Sequence, residues 1–179
     1  MRLPLFLILL LGACSGPDQL VTQPTVTVTE RIRSSFSSLE VIDVSLPTYA
    51  AGESIPVSND GLLVVSDLLW ADDPTRAVTL ALSRNLKEIT GARVAPEPWP
   101  FDGFADGRVD VRVEEFLVTG GVLRMSGQYF VVDLDDRGRD HAHLFDISTP
   151  LPEFSPAAAA QGRAQIIADL AREIAREGL

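Results

Sequence analysis

The sequence predicts an α+β domain: a mixed, largely antiparallel β-sheet with two amphipathic helices packed on one face. Three observations predict it. Two segments, opening at Asp73-Pro74 and Ser155-Pro156, carry apolar residues at helical spacing. Between them lie runs of strict apolar–polar alternation, of which Val109, Val111 and Val113 interleaved with Asp110, Arg112 and Glu114 is the clearest. Turn strings punctuate these runs, notably Ser58-Asn59-Asp60-Gly61, Gly120-Gly121 and Asp135–Arg139. Strands gathered between helices, rather than alternating singly with them, read as a meander covered by helices.

Taken in order, Ser15 to Val28 is polar, rich in Thr, Gln and Pro, and reads as a tether, with Val26 and Val28 placed to form a strand. Leu39 to Leu46 alternates so that Ile42, Val44 and Leu46 share a face, and Pro47 stops it. Glu53–Val57 and Leu62–Ser66 read as two short strands joined by the Asn59-Asp60-Gly61 turn. The first helix is capped by Asp73, opens on Pro74 and ends at Gly91, with Val78, Leu82, Leu86 and Ile89 as its buried stripe. Trp70, just ahead of the cap, reads as core packed on the first helical turn. Val94 opens the next strand. The aromatic loop PEPWPFDGFADG, the strand from Val109, the Gly120-Gly121 hairpin and the strands Val122–Leu134 and Asp140–Ser148 follow. The last helix runs from Ser155-Pro156 to about Glu177 on a stripe of Ile167, Leu170 and Ile174.

Ahead of the domain, Arg2 and the apolar run Leu3–Leu11 lead into Gly12-Ala13-Cys14, which holds the only cysteine of the 179 residues. Nine apolar residues fall well short of the about 20 a membrane helix needs. The string resembles a bacterial lipobox, which implies cleavage between Ala13 and Cys14 and acylation of the Cys14 sulfur. Two or three acyl chains there would hold the protein on a membrane, since each buried methylene contributes about 0.8 kcal/mol. Ser15, in place of an aspartate, points to the outer membrane, facing the periplasm. The expected organisation is a signal peptide at 1–13, a lipidated tether at 14–38 and one domain at 39–179.

The net charge is −10, and loss of Arg2 with the signal makes the mature chain more acidic still. Such a chain repels phosphate backbones, so no nucleic-acid partner is expected. Chemistry is sparse too. His141 and His143 share a strand face, but zinc would need a third ligand and no second cysteine exists. Asp133–Gly138 imitates a calcium loop only until Arg137 and Leu144 stand where oxygen ligands belong. Glu114 and Glu115, adjacent on a strand, point to opposite faces and do not make a catalytic pair. No nucleophile elbow or phosphate loop occurs. The expectation is therefore no enzyme, no catalytic residue, no metal and no cofactor. Trp99, Phe101 and Phe104 are the candidate partner-binding residues, weighed against folding down over a sheet edge.

Several short segments occur together in a fixed order: LPTY from Leu46, SNDGLLVV from Ser58, WADDPTRAVTLALSRNL from Trp70, RVAPEPW from Arg93, VDVRVEEF from Val109 and IIADLAREIA from Ile166. With the lipobox they resemble the ABC-type transport auxiliary lipoprotein family, the PqiC-like lipoproteins. The chain departs from it in lacking a tyrosine-rich strand soon after the cysteine and in the polar AAGESIP segment after Tyr49. The resemblance implies a non-enzymatic accessory of a lipid transport system. Its partners would be ABC transporter components and a periplasmic MCE-domain protein, with envelope integrity as the outcome. The alternative is a structural or assembly lipoprotein with no transporter partner. A homo-oligomer, such as a ring about the conduit's mouth, enters by analogy alone.

Overall fold

The computed structural model describes residues 19–136, 138 and 140–179; Ala13 and Cys14, the expected cleavage and lipidation site, lie outside them. In chain order the elements are β1 Gln19–Val21, β2 Ser38–Val41, α1 Thr48–Ala51, β3 Ser54–Asn59, β4 Leu62–Trp70, α2 Pro74–Thr90 and β5 Arg93–Pro96. After them come β6 Gly107–Thr119, β7 Val122–Asp133, β8 His141–Pro150 and α3 Pro156–Glu177.

β6 is the spine of the eight-stranded sheet. Along one edge it pairs antiparallel with β7, which pairs antiparallel with β8. Its other edge is shared. β2 takes Gly107–Val109 and β3 takes Val118–Thr119, both parallel, with a Ser45–Arg112 bridge between them. β5 lies outside β2, and the β3–β4 hairpin carries β1 on its far side. The long ladders are antiparallel and the short crossover pairings parallel, so the mixed, largely antiparallel α+β class holds.

Local chemistry sets the two long helices as expected. Asp73 Oδ1 accepts from the Arg76 amide at 2.8 Å, Pro74 occupies the first turn, and Gly91 closes α2 at φ 72° with its amide on the Lys87 carbonyl. Ser155 caps α3 by accepting from the Ala158 amide at 3.2 Å. Val78, Leu82, Leu86 and Ile89 of α2, with Ile167, Leu170 and Ile174 of α3, are wholly buried. Each contributes about 1.5–3 kcal/mol by leaving water. They cover the sheet face formed by Val109, Val111, Val113, Leu123, Met125, Tyr129 and Val131. The β3–β4 and β6–β7 turns have left-handed residues at their tips, Asp60 and Gly61 at φ 48° and 80°, Gly120 and Gly121 at 54° and 78°.

Four readings need correction. First, the strand after Leu39 ends at Val41, and the buried residues are Leu39, Val41 and then Val44, while Ile42 and Leu46 are only half-buried. The phase inverts because the chain bends away from β5 after Val41. Its next amides go elsewhere: Ile42 to the Val109 carbonyl, Asp43 to Glu97 Oε1, Val44 to Thr79 Oγ1 and Ser45 to the Val111 carbonyl. Secondly, Pro47 leads into α1, because the Ala50 and Ala51 amides both donate to its carbonyl.

Thirdly, residues 19–38, expected as tether, lie on the domain. β1 pairs with β4, Val21, Val28 and Phe36 are buried, and no strand forms at Val26–Val28. The strap is sewn down by backbone bonds, Ile32 N–H to the Ile89 carbonyl and Ser35 N–H to the Leu179 carbonyl, and by Glu30 paired with Arg172 and Arg176.

Fourthly, a β-bulge between Val113 and Glu115 overturns the opposite-face reading of Glu114 and Glu115. Glu114 accepts from Gln128 Nε2 at 3.1 Å and Glu115 pairs with Arg124 at 3.3 Å; Gln128 and Arg124 both belong to the half-exposed alternate positions of β7, away from the helices. The bulge also frees the Phe116 amide from the ladder. Tyr49 Oη accepts from it at 3.2 Å, which gives the tyrosine of the LPTY segment a structural task.

Candidate functional site

The loop between β5 and β6 holds the three aromatic candidates, and the structure divides them. Trp99 is half-buried and Phe101 packs edge-on against it, ring centroids 5.0 Å apart. The Arg93 guanidinium lies 5.4 Å over Phe101. Both rings pack beside β5, though Phe101 keeps 43% of its surface exposed. Phe104 is more exposed still, at 94%, just past the left-handed turn at Gly103. An exposed phenylalanine is ordinary in isolation, but Phe104 lines a shallow cleft of about 640 Å³ together with Leu134, Ala105, Asp106 and Arg108.

The cleft stands on a fixed base. Asp106 receives the Ser37 amide and hydroxyl on Oδ2, both at 2.8 Å, and the Ser38 hydroxyl on Oδ1. Its own amide donates back to Ser38 Oγ at 3.1 Å, and its carbonyl accepts from the Leu134 amide at 2.9 Å. Burial alone would raise the Asp106 carboxyl; the hydrogen bonds from Ser37, with those from the backbone, outweigh it and hold the group below the usual carboxylate range. Ser37-Ser38 and Asp106 thus pin the end of the aromatic loop to the start of β2, leaving Phe104 projecting from a rigid support. The serines are far from the loop in sequence, and no spacing announces the clamp.

β8 places His141 and His143 on one face with ring centroids 6.0 Å apart, the first exposed and the second half-buried. His143 stacks on Tyr129 at 5.2 Å. Among the described residues no three His, Cys, Asp or Glu side chains gather to hold a metal ion, and no helix is long and apolar enough to cross a membrane.

Tyr129 is fully buried beneath α3, and its hydroxyl has no hydrogen-bond partner among the described residues. Burial, reinforced by Glu173 and Glu177, pushes the phenol up to about 12. Tyr129→Phe removes an unsatisfied polar atom while keeping the ring, so it is expected to stabilise the domain by about 1 kcal/mol in denaturant unfolding. The sign with pH follows from the raised value. Below about 10 the folded and unfolded phenols are both protonated; between 10 and 12 only the unfolded one ionises, so the wild type loses stability there. The Phe variant lacks that component of alkaline loss, and an unchanged alkaline slope would refute the assignment.

Arg163, in the second turn of α3, was not anticipated. It occupies the position four residues before Ile167, on the buried stripe, and is 2% exposed.

No curated protein matches the chain. Among solved structures, a protein from Xanthomonas campestris superposes at a TM-score of 0.71 with 20% identity, the alignment covering 88% of this chain and 92% of that one. An uncharacterized protein of known structure superposes at 0.69, also with 20% identity, covering 88% of this chain and 98% of the other. At that identity the likeness establishes the fold. The sequence itself matches the ABC-type transport auxiliary lipoprotein component family over residues 19–175, from β1 to the last turn of α3, and the chain belongs to that family.

Proposed function

We propose that this protein is a non-catalytic accessory of an ABC lipid transport system, anchored through acylated Cys14 to the periplasmic face of the outer membrane. There it docks the transporter's MCE-domain component. The observation that supports the reading is the family match over nearly the whole folded chain, preceded by the Gly12-Ala13-Cys14 lipobox. An anchored domain of this kind works by confinement: tethering holds it beside its partner and raises the effective concentration of the encounter without new contacts.

On this reading Phe104 and Leu134 offer the docking surface, exposed apolar side chains lining a cleft that Arg108 also lines. Phe104→Ser removes an aromatic that the fold does not use. It is expected to leave stability within about 0.5 kcal/mol and to weaken partner binding at least tenfold, about 1.4 kcal/mol. The deciding experiment is crosslinking in the native host followed by purification of this chain. Recovery of a permease, an ATPase and an MCE-domain protein supports the proposal. Repeated recovery of envelope structural proteins without any of these would replace it by an assembly role independent of a transporter.

A further inference from the structure

A cavity of about 370 Å³ opens between the 19–24 strap, the start of α2 and α3. Its lining includes Arg163, Gln23, Val21, Pro24, Leu80 and Ala81. Arg163 sits there in an unusual electrostatic position. Its guanidinium carbon lies 4.3 Å over the Trp70 ring, and its one hydrogen bond among the described residues is a long contact of 3.5 Å from Nη2 to the Pro74 carbonyl. Nε is buried with no acceptor among the described residues. The two nearby carboxylates are engaged elsewhere, Asp72 by Arg76 Nη1 at 2.5 Å and Asp73 by the Arg76 amide as the α2 cap. Burial pushes the guanidinium down to about 10, with Asp72 and Asp73 opposing, so it remains cationic at neutral pH. The N-terminus of α2, beside which it lies, carries positive dipole and does not compensate it.

A buried cation without a hydrogen-bonded anion costs several kcal/mol, and folds keep one where something else neutralises it. A second orphan faces the same cavity. Gln23 Oε1 is buried without a partner among the described residues, and because an amide can be turned about its last bond, the group can present either an acceptor or a donor. The rest of the lining is largely apolar but includes Thr22 and the Asp72 carboxylate, which Arg76 holds. Arg84, also on the lining, reaches outward to Thr25 Oγ1 at 3.3 Å.

We propose that the cavity beside Arg163 and Gln23 binds a small amphiphilic carboxylate, its head on the Arg163 guanidinium and the Gln23 amide and its alkyl body against Val21, Pro24 and Leu80. The charge-assisted bond supplies the missing anion, and the strap from β1 closes one side of the site. The inference does not depend on any transporter partner. The competing structural account makes Arg163 an internal counter-charge for Asp72 and Asp73, stacked on Trp70 and binding nothing.

The test uses the acylated full chain in nanodiscs of zwitterionic lipid, titrated with ¹³C-carboxyl-labelled straight-chain carboxylates from butyrate to decanoate and corrected against empty discs. Saturable binding of one molecule per chain is expected, with the matching alcohol and inorganic phosphate each at least tenfold weaker. Arg163→Met is expected to lose at least tenfold in affinity, and Arg163→Lys to keep part of it. Absence of saturable binding across the series overturns the proposal, as does equal binding of the alcohol. Equal binding of phosphate overturns the assignment of an alkyl body. Undiminished binding by a folded Arg163→Met protein, checked by circular dichroism, shows that the guanidinium is not the receptor. Should that variant fail to fold, the wild-type comparison of carboxylate, alcohol and phosphate decides alone.

Discussion

Gly127→Ala is expected to cost the domain about 3–5 kcal/mol, enough to lower Tm by about 10 °C or to leave the chain unfolded at the temperature of its host. Gly127 stands in β7 directly opposite Val113, at the step where β6 bulges. A Cβ placed on it would lie 2.2 Å from the Arg112 carbonyl oxygen and 2.9 Å from Val113 Cα. Both obstacles are backbone, so no side chain can rotate away. The bulge kinks β6 toward β7, and only a residue without a side chain lets the two backbones approach so closely. Relief requires opening the ladder or straightening the bulge. Straightening it would return the Phe116 amide to the ladder, strand Tyr49 Oη without its donor, and shift the phase of Phe116 and Val118 relative to the core. Gly52→Ala is the matched control, since nothing lies within 4 Å of its added Cβ and its φ of −78° suits any residue. A change within about 1 kcal/mol is expected there. Equal melting temperatures for the two variants would refute the close-approach argument.

Gly107 offers an instructive contrast. The nearest obstacles to its added Cβ are side-chain atoms, the Phe36 ring at 2.5 Å and Leu39 Cδ2 at 2.9 Å, both of buried residues that must shift to make room. The clash is tighter than ordinary packing but shared among movable atoms. Position within the sheet, not the glycine itself, decides the cost.

The helices and hairpins were legible in the sequence because their determinants are local. Asp73-Pro74 and Ser155-Pro156 carry both the cap and the fixed φ of a first turn, and Gly91, Gly120 and Gly121 stand where a left-handed residue is required. Features set by distant partners were not legible. The strap at 19–38 buries single residues, Val21, Val28 and Phe36, too widely spaced to show a period, and holds on by backbone bonds to α2 and the C-terminus. The bulge was hidden because Glu114-Glu115 reads as ordinary alternation with one residue too many. Its partner signals, Tyr49 and Gly127, lie far off in sequence. Of the aromatic candidates, pattern alone did not separate Phe104 from Trp99 and Phe101, since the separation rests on the Arg93 contact and on the Ser37–Asp106 clamp. Arg163 did carry a local signal. Arg163 stands at i, i+4, i+7 and i+11 with Ile167, Leu170 and Ile174, so the spacing alone places this one charged residue on the buried stripe.

Cys14→Ala is expected to have the largest effect on function and the smallest on the fold. Cys14 lies ahead of the family-matched residues 19–175, and the melting temperature of the domain is expected not to move. Its membrane residence should vanish. On the proposed reading the anchor is the acyl chains, because a chain of net charge −10 is not drawn to anionic headgroups and no described helix is fit to cross a bilayer. One chain gives marginal, reversible binding and two give a stable anchor, so removing the acceptor thiol removes the whole term at once rather than weakening it. Metabolic labelling with an alkyne fatty acid should mark the wild type and leave the variant unmarked. The membrane-bound share should fall from nearly all to about a tenth or less, and recovery of the MCE-domain partner should fall with it, as loss of confinement requires. Restoring a membrane anchor by other means, for instance a fused transmembrane helix of about 20 residues, should bring partner recovery back if the lipid serves only to confine. Partner recovery that survives Cys14→Ala undiminished would show that docking needs no mooring. A variant that still takes up label would show that the acyl chains sit on another residue, and the role assigned to Cys14 would fall with it.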